Sequence, residues 1–173
     1  MVTANNGLHE PQAYRPCVGA VIRNPDGLIW IGRRAEAEQD AEGTGLWWQM
    51  PQGGIDADED PGVAVVREVR EETGIVSVRV TAAFDEWLTY DVPAALVGRA
   101  WGGRYRGQRQ KWFLLDFHGR DSEVVLDPGP GHAREFDAWR WAGRDEVLDA
   151  IVPFKRAVYA RVLDWLAAQP PIR

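Results

Sequence analysis

The chain has 173 residues, of which 45% are hydrophobic and 27% are charged, and its formal net charge is −6. This balance is typical of a globular domain and excludes a disordered chain. The negative charge argues against a protein that coats long duplex nucleic acid, which must neutralise many phosphates. No apolar run approaches the roughly 18 residues of a membrane-spanning helix, and residues 1–12 lack the apolar segment of a signal peptide. We therefore expect a cytoplasmic protein without membrane contact.

Residues 1–12 are predicted to form a flexible arm, and residues 13–173 a single domain. Apolar patterns predict strands at 17–24, 28–34, 78–92, 110–119 and 136–142, a short apolar segment at 46–51, and a terminal helix at 154–168. Because strands lie on both sides of one central helix and another helix follows, we expect an α/β fold with a mixed β-sheet between helices.

The central helix lies within the stretch GGIDADEDPGVAVVREVREETGI, residues 53–75, and its ends can be predicted. Asp60 is a good N-cap, Pro61 suits the first helical position, and Gly74 suits the C-terminal cap. Together they predict a helix of about thirteen residues.

Three glutamates near the end of this helix share one face. At about 100° per residue, Glu68, Glu71 and Glu72 fall within one stripe about 100° wide. The neighbouring stripe, which we expect to face the core, contains Val65, Val66 and Val69. The carboxylates are therefore predicted to lie at the edge of the buried face.

Clustered carboxylates of this kind require a positive partner. Like charges at this spacing each cost roughly 0.2–0.5 kcal/mol on an exposed helix. Arg67 and Arg70 can supply part of the positive charge, although Arg70 points nearly opposite Glu68. A hard divalent cation with oxygen ligands, Mg²⁺ or Mn²⁺, is the natural remaining partner. From these residues alone, an ordinary acidic surface helix stays open as the alternative.

A basic stretch without any acidic residue runs from Val92 to Leu115. Its cations are Arg99, Arg104, Arg106, Arg109 and Lys111. In an acidic protein, such a stretch suits a small or terminal phosphate ligand better than a long polyanion. A solvated basic loop is the alternative interpretation.

The central stretch resembles the Nudix box, G-x5-E-x7-R-E-U-x-E-E-x-G-U. All of its constrained positions match, namely Gly53, Glu59, Arg67, Glu68, Val69, Glu71, Glu72, Gly74 and Ile75. The resemblance implies a loop–helix–loop within an α/β/α sandwich, and carboxylates that hold two or more Mg²⁺ or Mn²⁺ ions once substrate is bound. It also implies cleavage of a phosphoanhydride bond by metal-assisted attack of water on phosphorus.

The Nudix resemblance assigns roles within the box. It implies that the metal ligands are Glu68, Glu71 and Glu72, one of which, with Glu68 favoured over Glu72, takes the proton from water. Arg67 is expected to orient a glutamate by ion pairing, and Glu59 either joins the metal shell or braces the loop. The two glycines that let the backbone approach the phosphates are Gly53 and Gly54.

Segments outside the box are similar to one branch of the family, the bacterial RNA pyrophosphohydrolases and dinucleoside polyphosphate hydrolases. These segments are YRPCVGAVI, WQMPQGGI, QKWFLL, EFDAWRW and FKRAVY, within residues 13–168. The chain departs from the branch at Met50, where an aromatic residue is usual, and in longer loops at 35–45 and 98–107.

The branch resemblance implies further site residues. Glu135 would be a fourth metal-site carboxylate, and Arg15 and Phe154 would sandwich the first base. Phe154 also continues the apolar stripe of the terminal helix, so a core role is the alternative. The residues expected to reach the phosphates or the next nucleotide, or to lie nearby, are Arg34, Gln52, Gln108, Gln110, Lys111 and Lys155.

The resulting expectation is a monomeric enzyme that removes pyrophosphate from 5′-triphosphorylated RNA and leaves a 5′-monophosphate. The near alternative is hydrolysis of diadenosine tetra- or pentaphosphate with release of ATP, and removal of oxidised nucleoside triphosphates is a weaker one. A Nudix-fold binding module without catalysis is disfavoured, because every glutamate of the box is present.

Overall fold

The computed structural model of the protein describes residues 13–35, 39–40, 43–44, 47–97, 100–127, 129 and 133–172. The predicted flexible arm, residues 1–12, and Arg99 of the basic stretch lie outside the described residues. Within those residues, no helix is both long and apolar enough to span a bilayer.

The chain order of strands and helices follows the predicted order closely. The strands are β1 (Ala13–Arg23), β2 (Ile29–Arg34), β3 (Gln39–Asp40), β4 (Gly43–Thr44), β5 (Trp48–Gln49), β6 (Gln52–Gly54), β7 (Val78–Asp91), β8 (Tyr105–Phe117) and β9 (Phe136–Ala142). The α-helices are α1 (Pro61–Thr73), α2 (Ala94–Val97), α3 (Arg144–Ala150) and α4 (Arg156–Ala167). Short 3₁₀ turns cover Ala100–Gly103, Asp121–Glu123 and Pro153–Lys155.

Seven of the strands form one sheet. The sheet is mixed, as predicted. Strands β5, β2, β1, β8 and β7 lie side by side in that order, while β6 pairs with β1 and β9 pairs with β2. The β1–β8 pair is parallel, and the β1–β2, β1–β6 and β7–β8 pairs are antiparallel. Strands β1 and β8 begin earlier than the apolar runs, because their first residues pair with each other at the polar end of the sheet.

Helices cover both faces of this sheet, which confirms the α/β/α sandwich. On one face, Val65 and Val69 of α1 are buried against residues such as Val18 and Leu115. On the other face, α4 packs on the sheet residues Val21, Trp112 and Leu114. The buried α4 residues in this layer are Val158, Tyr159, Val162 and Leu163. Both layers are almost fully removed from water, so apolar burial stabilises the sandwich.

Candidate active site

Helix α1 begins and ends where the sequence predicts. Asp60 Oδ1 accepts hydrogen bonds from the backbone N–H groups of Gly62 and Val63, at 2.8 and 3.3 Å. Gly74 has φ of 74°, in the left-handed region, and its N–H donates to Arg70 O at 2.9 Å. Both caps satisfy backbone groups that a helix end leaves unpaired.

The buried face of α1 is narrower than predicted. Val65 and Val69 are buried, but Val66 is 43% exposed, so its expected place in the core is wrong. Val65 and Val69 are four residues apart and lie along one line, whereas Val66 is turned about 100° away from Val65. Among the carboxylates, Glu68 is half-buried, while the Glu71 side chain is 59% exposed and lies on the solvent side.

Arg67 holds three of the glutamates together. Its Nε and Nη2 donate to the two oxygens of Glu59 at 2.8 Å each. Its Nη1 donates to Glu68 Oε1 at 2.8 Å and, less closely, to Glu71 Oε2 at 3.3 Å. Nη2 also donates to the carbonyl of Gly54 at 2.9 Å. Arginine therefore supplies part of the neutralisation that the sequence attributes to a cation.

Glu59 makes the contacts of a loop-bracing residue. Besides Arg67, its Oε2 accepts the backbone N–H of Asp56 at 3.0 Å. The Arg67 guanidinium, followed by the Asp56 N–H group, lowers the pKa of Glu59 to about 2. Of the two roles left open by the sequence, these contacts correspond to bracing the loop before α1.

The carboxyl group of Glu68 occupies the space that a side chain at Gly53 would fill. A Cβ atom at Gly53 would overlap the Glu68 carboxyl group, so a side chain at this position would displace it. Glu68 is half-buried, and burial raises the pKa of its carboxyl group, while the nearby Arg67 opposes that rise. The backbone of β6 therefore lies directly against a carboxylate of the box.

Glu72 lies at the centre of the acidic cluster. Its Oε2 accepts the backbone N–H of Gln52 at 3.1 Å. Burial, with added repulsion from Glu135 and Glu68, raises the pKa of Glu72 well above its usual range. Glu135 is in turn ion-paired with Arg34. Glu135, which comes from outside the box, therefore lies close enough to Glu72 to repel its carboxylate, and its role as a metal ligand stays a prediction.

The donor set of this cluster suits a divalent cation. Half-buried carboxylates that repel one another are hard oxygen ligands in need of positive charge. Within the described part of the chain, however, no three acidic, cysteine or histidine side chains converge as ligands of one ion. Arg67 and Arg34 hold the carboxylates instead. An ion that binds here must therefore compete with these arginines.

The opposite face of the sheet carries the residues expected to bind a base. Gln108 on β8 pairs with Arg15 on β1 and with Tyr90 on β7, so these three side chains form one row. The Arg15 guanidinium lies 5.9 Å from the Trp101 ring, and the half-buried Phe154 ring lies 5.7 Å from Tyr90. Arg15 and Tyr90 therefore flank Gln108, and Phe154 lies against Tyr90. Neither role of Phe154 is eliminated.

Tyr90 and Trp101 are missing from the predicted site. Tyr90 is a member of the row that contains Gln108 and contacts Phe154, while Trp101 borders the row through Arg15. Neither stands in the Nudix box or in the segments that carry the resemblance. Strand register brings Tyr90 there and the turn Ala100–Gly103 brings Trp101, and a single sequence contains neither relationship.

Gln110 is not presented to a ligand in the expected way. The residue is 1% exposed. Its Nε2 donates to Gln52 Oε1 at 3.0 Å and to Gln108 Oε1 at 2.9 Å, and its Oε1 accepts from Trp112 Nε1 at 3.1 Å. In the structure its amide contacts other protein groups rather than an open cleft.

The two predicted lysines lie on different faces. Lys155 is 5% exposed, donates from Nζ to Gln49 Oε1 at 3.2 Å, and lies 5.5 Å from the Tyr90 ring. Lys111 is on the opposite face of β8 from Gln108, because side chains alternate along a strand. Its Nζ donates to the carbonyl of Asp85 at 2.9 Å. The structure therefore does not bring Lys111 together with the Gln108 row.

Other cations of the basic stretch have partners that the sequence does not reveal. Arg106 forms an ion pair with Asp91 of the adjacent strand, and Arg109 lies 4.3 Å from the Trp87 ring. Both partners come from β7, which pairs with β8. The stretch is therefore a paired strand and not simply an open, solvated basic loop.

Comparison with known proteins identifies the class of protein that this fold and this box define. The NUDIX domain model matches residues 13–162, and the chain belongs to the Nudix family. It is 52% identical over 156 residues to the RNA pyrophosphohydrolase of Mesorhizobium japonicum, covering 89% of this chain and 90% of that protein. It is 54% identical over 152 residues to the RNA pyrophosphohydrolase of Cereibacter sphaeroides, covering 87% and 88%.

Solved structures agree on the fold. The structure is similar to the Ap4A hydrolase of C. elegans in a binary complex, with a TM-score of 0.62 and 19% identity. The match covers 90% of this chain and 99% of that one. At this identity the likeness establishes the Nudix fold alone.

Proposed function

We propose that this protein removes pyrophosphate from the 5′-triphosphate end of RNA and leaves a 5′-monophosphate. The observation that carries the proposal is identity of about half of all residues, over about nine-tenths of both chains, with RNA pyrophosphohydrolases of several bacteria. Likeness of this extent covers most of the domain, rather than one motif. It therefore bears on substrate class as well as on fold.

The arrangement of the two faces supports this reaction. The acidic cluster around Glu68 and Glu72 lies at β6, and the row that contains Gln108 lies on the other face of the same sheet. Gln52 joins them, because its backbone bonds to Glu72 and its side chain bonds to Gln108. A base held at the row would keep the 5′ phosphates of that nucleotide close to the carboxylates, which is the positioning that phosphoryl transfer requires.

In the proposed mechanism, Glu68, Glu71, Glu72 and Glu135 would hold the divalent cations. When bound, Mg²⁺ or Mn²⁺ neutralises phosphate charge and lowers the pKa of water, and two or more ions are proposed with substrate present. Arg67 keeps the Glu68 carboxylate in place, and Glu68 takes the proton of the attacking water. Arg34, freed from Glu135, and Lys155 donate to phosphate oxygens.

The products test the proposal. Purified protein and Mg²⁺ are given RNA labelled in the β and γ phosphates, and the released phosphates are separated. We expect inorganic pyrophosphate and 5′-monophosphorylated RNA, and a loss of roughly a thousandfold or more in kcat for Glu68→Gln. Tight binding of RNA without any release would instead identify a binding module.

Diadenosine tetra- and pentaphosphate are the competing substrates. They also present a base followed by a polyphosphate, and the Gln108 row with the acidic cluster could hold either kind of ligand. Identity with RNA pyrophosphohydrolases favours RNA. We further propose that the protein works as a monomer in the cytoplasm, where newly made triphosphate ends occur.

A further inference from the structure

Three glutamine side chains and one tryptophan form a closed hydrogen-bonded cluster on the base side of the sheet. Trp112 Nε1 donates to Gln110 Oε1 at 3.1 Å. Gln110 Nε2 donates to Gln52 Oε1 at 3.0 Å and to Gln108 Oε1 at 2.9 Å. Gln52 Nε2 also donates to Gln108 Oε1, at 3.2 Å. Gln108 is therefore the last residue of the cluster and accepts two bonds.

The tryptophan fixes the direction of every bond in this cluster. An amide side chain can turn by 180° and exchange its donor and acceptor ends, but an indole N–H can only donate. The Trp112 N–H group therefore requires Gln110 to present Oε1 to it and Nε2 to the other two amides. Gln52 and Gln108 must then turn their Oε1 atoms inward, so Gln108 is left with Nε2 pointing out of the cluster.

The outward amide nitrogen of Gln108 donates to no residue that the structure describes, and it is the end of the cluster that a ligand can reach. Gln108 is 4% exposed. It lies between Arg15 and Tyr90, in the row bordered by the aromatic rings of Trp101 and Phe154. A ligand that supplies an acceptor at this point takes the place of water and gains a hydrogen bond whose direction the cluster has already set.

We propose that Trp112 and Gln110 are positioning residues, which hold Gln108 as a hydrogen-bond donor to an acceptor atom on the first base of the substrate. The proposal rests on the proposed function and deepens it. Because both lone-pair directions of Gln108 Oε1 are occupied, Gln108 cannot make the paired donor-and-acceptor contact that a free glutamine makes with adenine. It recognises an acceptor only, such as a purine ring nitrogen or a base carbonyl.

The variant Gln110→Glu reverses this direction without changing the shape of the side chain. A carboxylate at position 110 still accepts the Trp112 N–H, but it can only accept from Gln52 and Gln108 as well. Both amides must then turn, and Gln108 presents Oε1 to the base instead of Nε2. Trp112→Phe should affect recognition of the base less. Without the indole N–H group, the three glutamines can form the same number of hydrogen bonds with Gln108 Nε2 pointing outward or with Gln108 Oε1 pointing outward.

The test compares two 5′-triphosphorylated RNAs that differ only in whether the first nucleotide carries a base or is abasic. The ratio of their kcat/KM values measures the contribution of the base, and effects on phosphate chemistry cancel. We expect Gln110→Glu to lower this ratio roughly tenfold or more, mainly through KM. Trp112→Phe should lower it about twofold, because about half of the molecules then present the donor.

Trp30→Phe is the matched control for the loss of an indole. Trp30 is fully buried, as Trp112 is, but its Nε1 has no hydrogen-bond partner in the described part of the chain. We expect its ratio to equal that of the original protein. Melting temperatures are measured for all variants, and Trp112→Phe, which buries no charge, carries the test if Gln110→Glu does not fold.

Two outcomes would overturn the proposal. Unchanged kcat/KM on both RNAs in a folded Gln110→Glu variant would mean that the direction of the Gln108 amide does not matter to the substrate. Equal losses on the two RNAs would mean that its donor faces a phosphate, or that the cluster serves only to support Glu72. If the original protein releases no pyrophosphate from either RNA, the proposed function itself has failed, which is a different result.

Discussion

The backbone N–H group of Gln52 donates to Glu72 Oε2 at 3.1 Å, so strand β6 is tied directly to helix α1. The two residues that follow Gln52 alternate in direction along the strand. Gly53 faces the carboxyl group of Glu68, and Gly54 faces the guanidinium of Arg15. The short strand β6 therefore contacts the acidic cluster with one glycine and the row of Arg15, Gln108 and Tyr90 with the next.

Gly53→Ala should reduce catalysis without unfolding the protein. The added methyl group would overlap the Glu68 carboxyl group and push it from its position, and a displacement of about 1 Å can lower a rate roughly 100-fold. We expect kcat to fall by about this factor while KM changes little. Steady-state kinetics on triphosphorylated RNA measure both constants.

Gly54→Ala is the matched control for this variant. Its methyl group would overlap the Arg15 guanidinium, which lies on the base side, so we expect a higher KM and a smaller change in kcat. Identical kinetic effects of the two substitutions would contradict the assignment of the two faces.

Arg67→Lys should lower kcat at least roughly tenfold, since a lysine keeps the charge but cannot bond Glu59 and Glu68 at once. The matched control is Arg70→Lys, because Arg70 lies on the exposed side of the same helix. Full activity in Arg67→Lys would mean that the position of Glu68 does not depend on this ion pair.

Divalent metal should stabilise the protein through the acidic cluster. A ligand that binds only the folded state raises the melting temperature, so we expect Mn²⁺ to raise Tm by about a few degrees and EDTA to reverse the effect. Glu135→Gln should reduce the shift. Glu86→Gln, which removes an exposed partner of Arg161, should leave it intact. An equal shift in both variants would exclude Glu135 from the metal site.

Phe154→Ala distinguishes the two roles of that residue. If its ring stacks on the first base, KM for RNA should rise severalfold while Tm changes little. Val158→Ala is the control, because Val158 lies on the buried side of α4 and the loss of its side chain should lower Tm without affecting KM. A large loss of Tm in Phe154→Ala with unchanged KM would assign the ring to the core.

The caps of α1 should contribute measurably to stability. Asp60→Ala removes the acceptor for two N–H groups and should cost about 1 kcal/mol of unfolding free energy. Gly74→Ala places a side chain at positive φ and should cost about 1–2 kcal/mol. Urea denaturation measures both, and an unchanged midpoint would contradict the cap in question.

The helix could be predicted well because its signals are local. Asp60, Pro61 and Gly74 define its ends within the sequence itself, and the structure agrees at both. The sequence did not predict that Val66 and Glu71 are exposed. The predicted buried face spans about 100° of the helix surface, which is wider than the part of α1 that contacts the sheet. Local periodicity thus predicts the direction of a side chain better than its burial.

The base-side row could be predicted only in part. Alternation along β8 is visible in the sequence and would have separated Lys111 from Gln108 and Gln110. The neighbours of that row could not be found in this way, because Tyr90 and Trp101 reach it through strand register and a loop. Contacts between residues distant in the chain depend on tertiary packing, which no local pattern contains.

The most direct test of the proposed activity is competition between its two candidate substrates. Equal concentrations of 5′-triphosphorylated RNA and diadenosine tetraphosphate are mixed with the protein and Mg²⁺, and kcat/KM is obtained for each from its products. We predict a clear preference for RNA, with pyrophosphate as the released product. A preference for the dinucleotide, with ATP appearing first, would contradict the assignment of this protein to RNA ends.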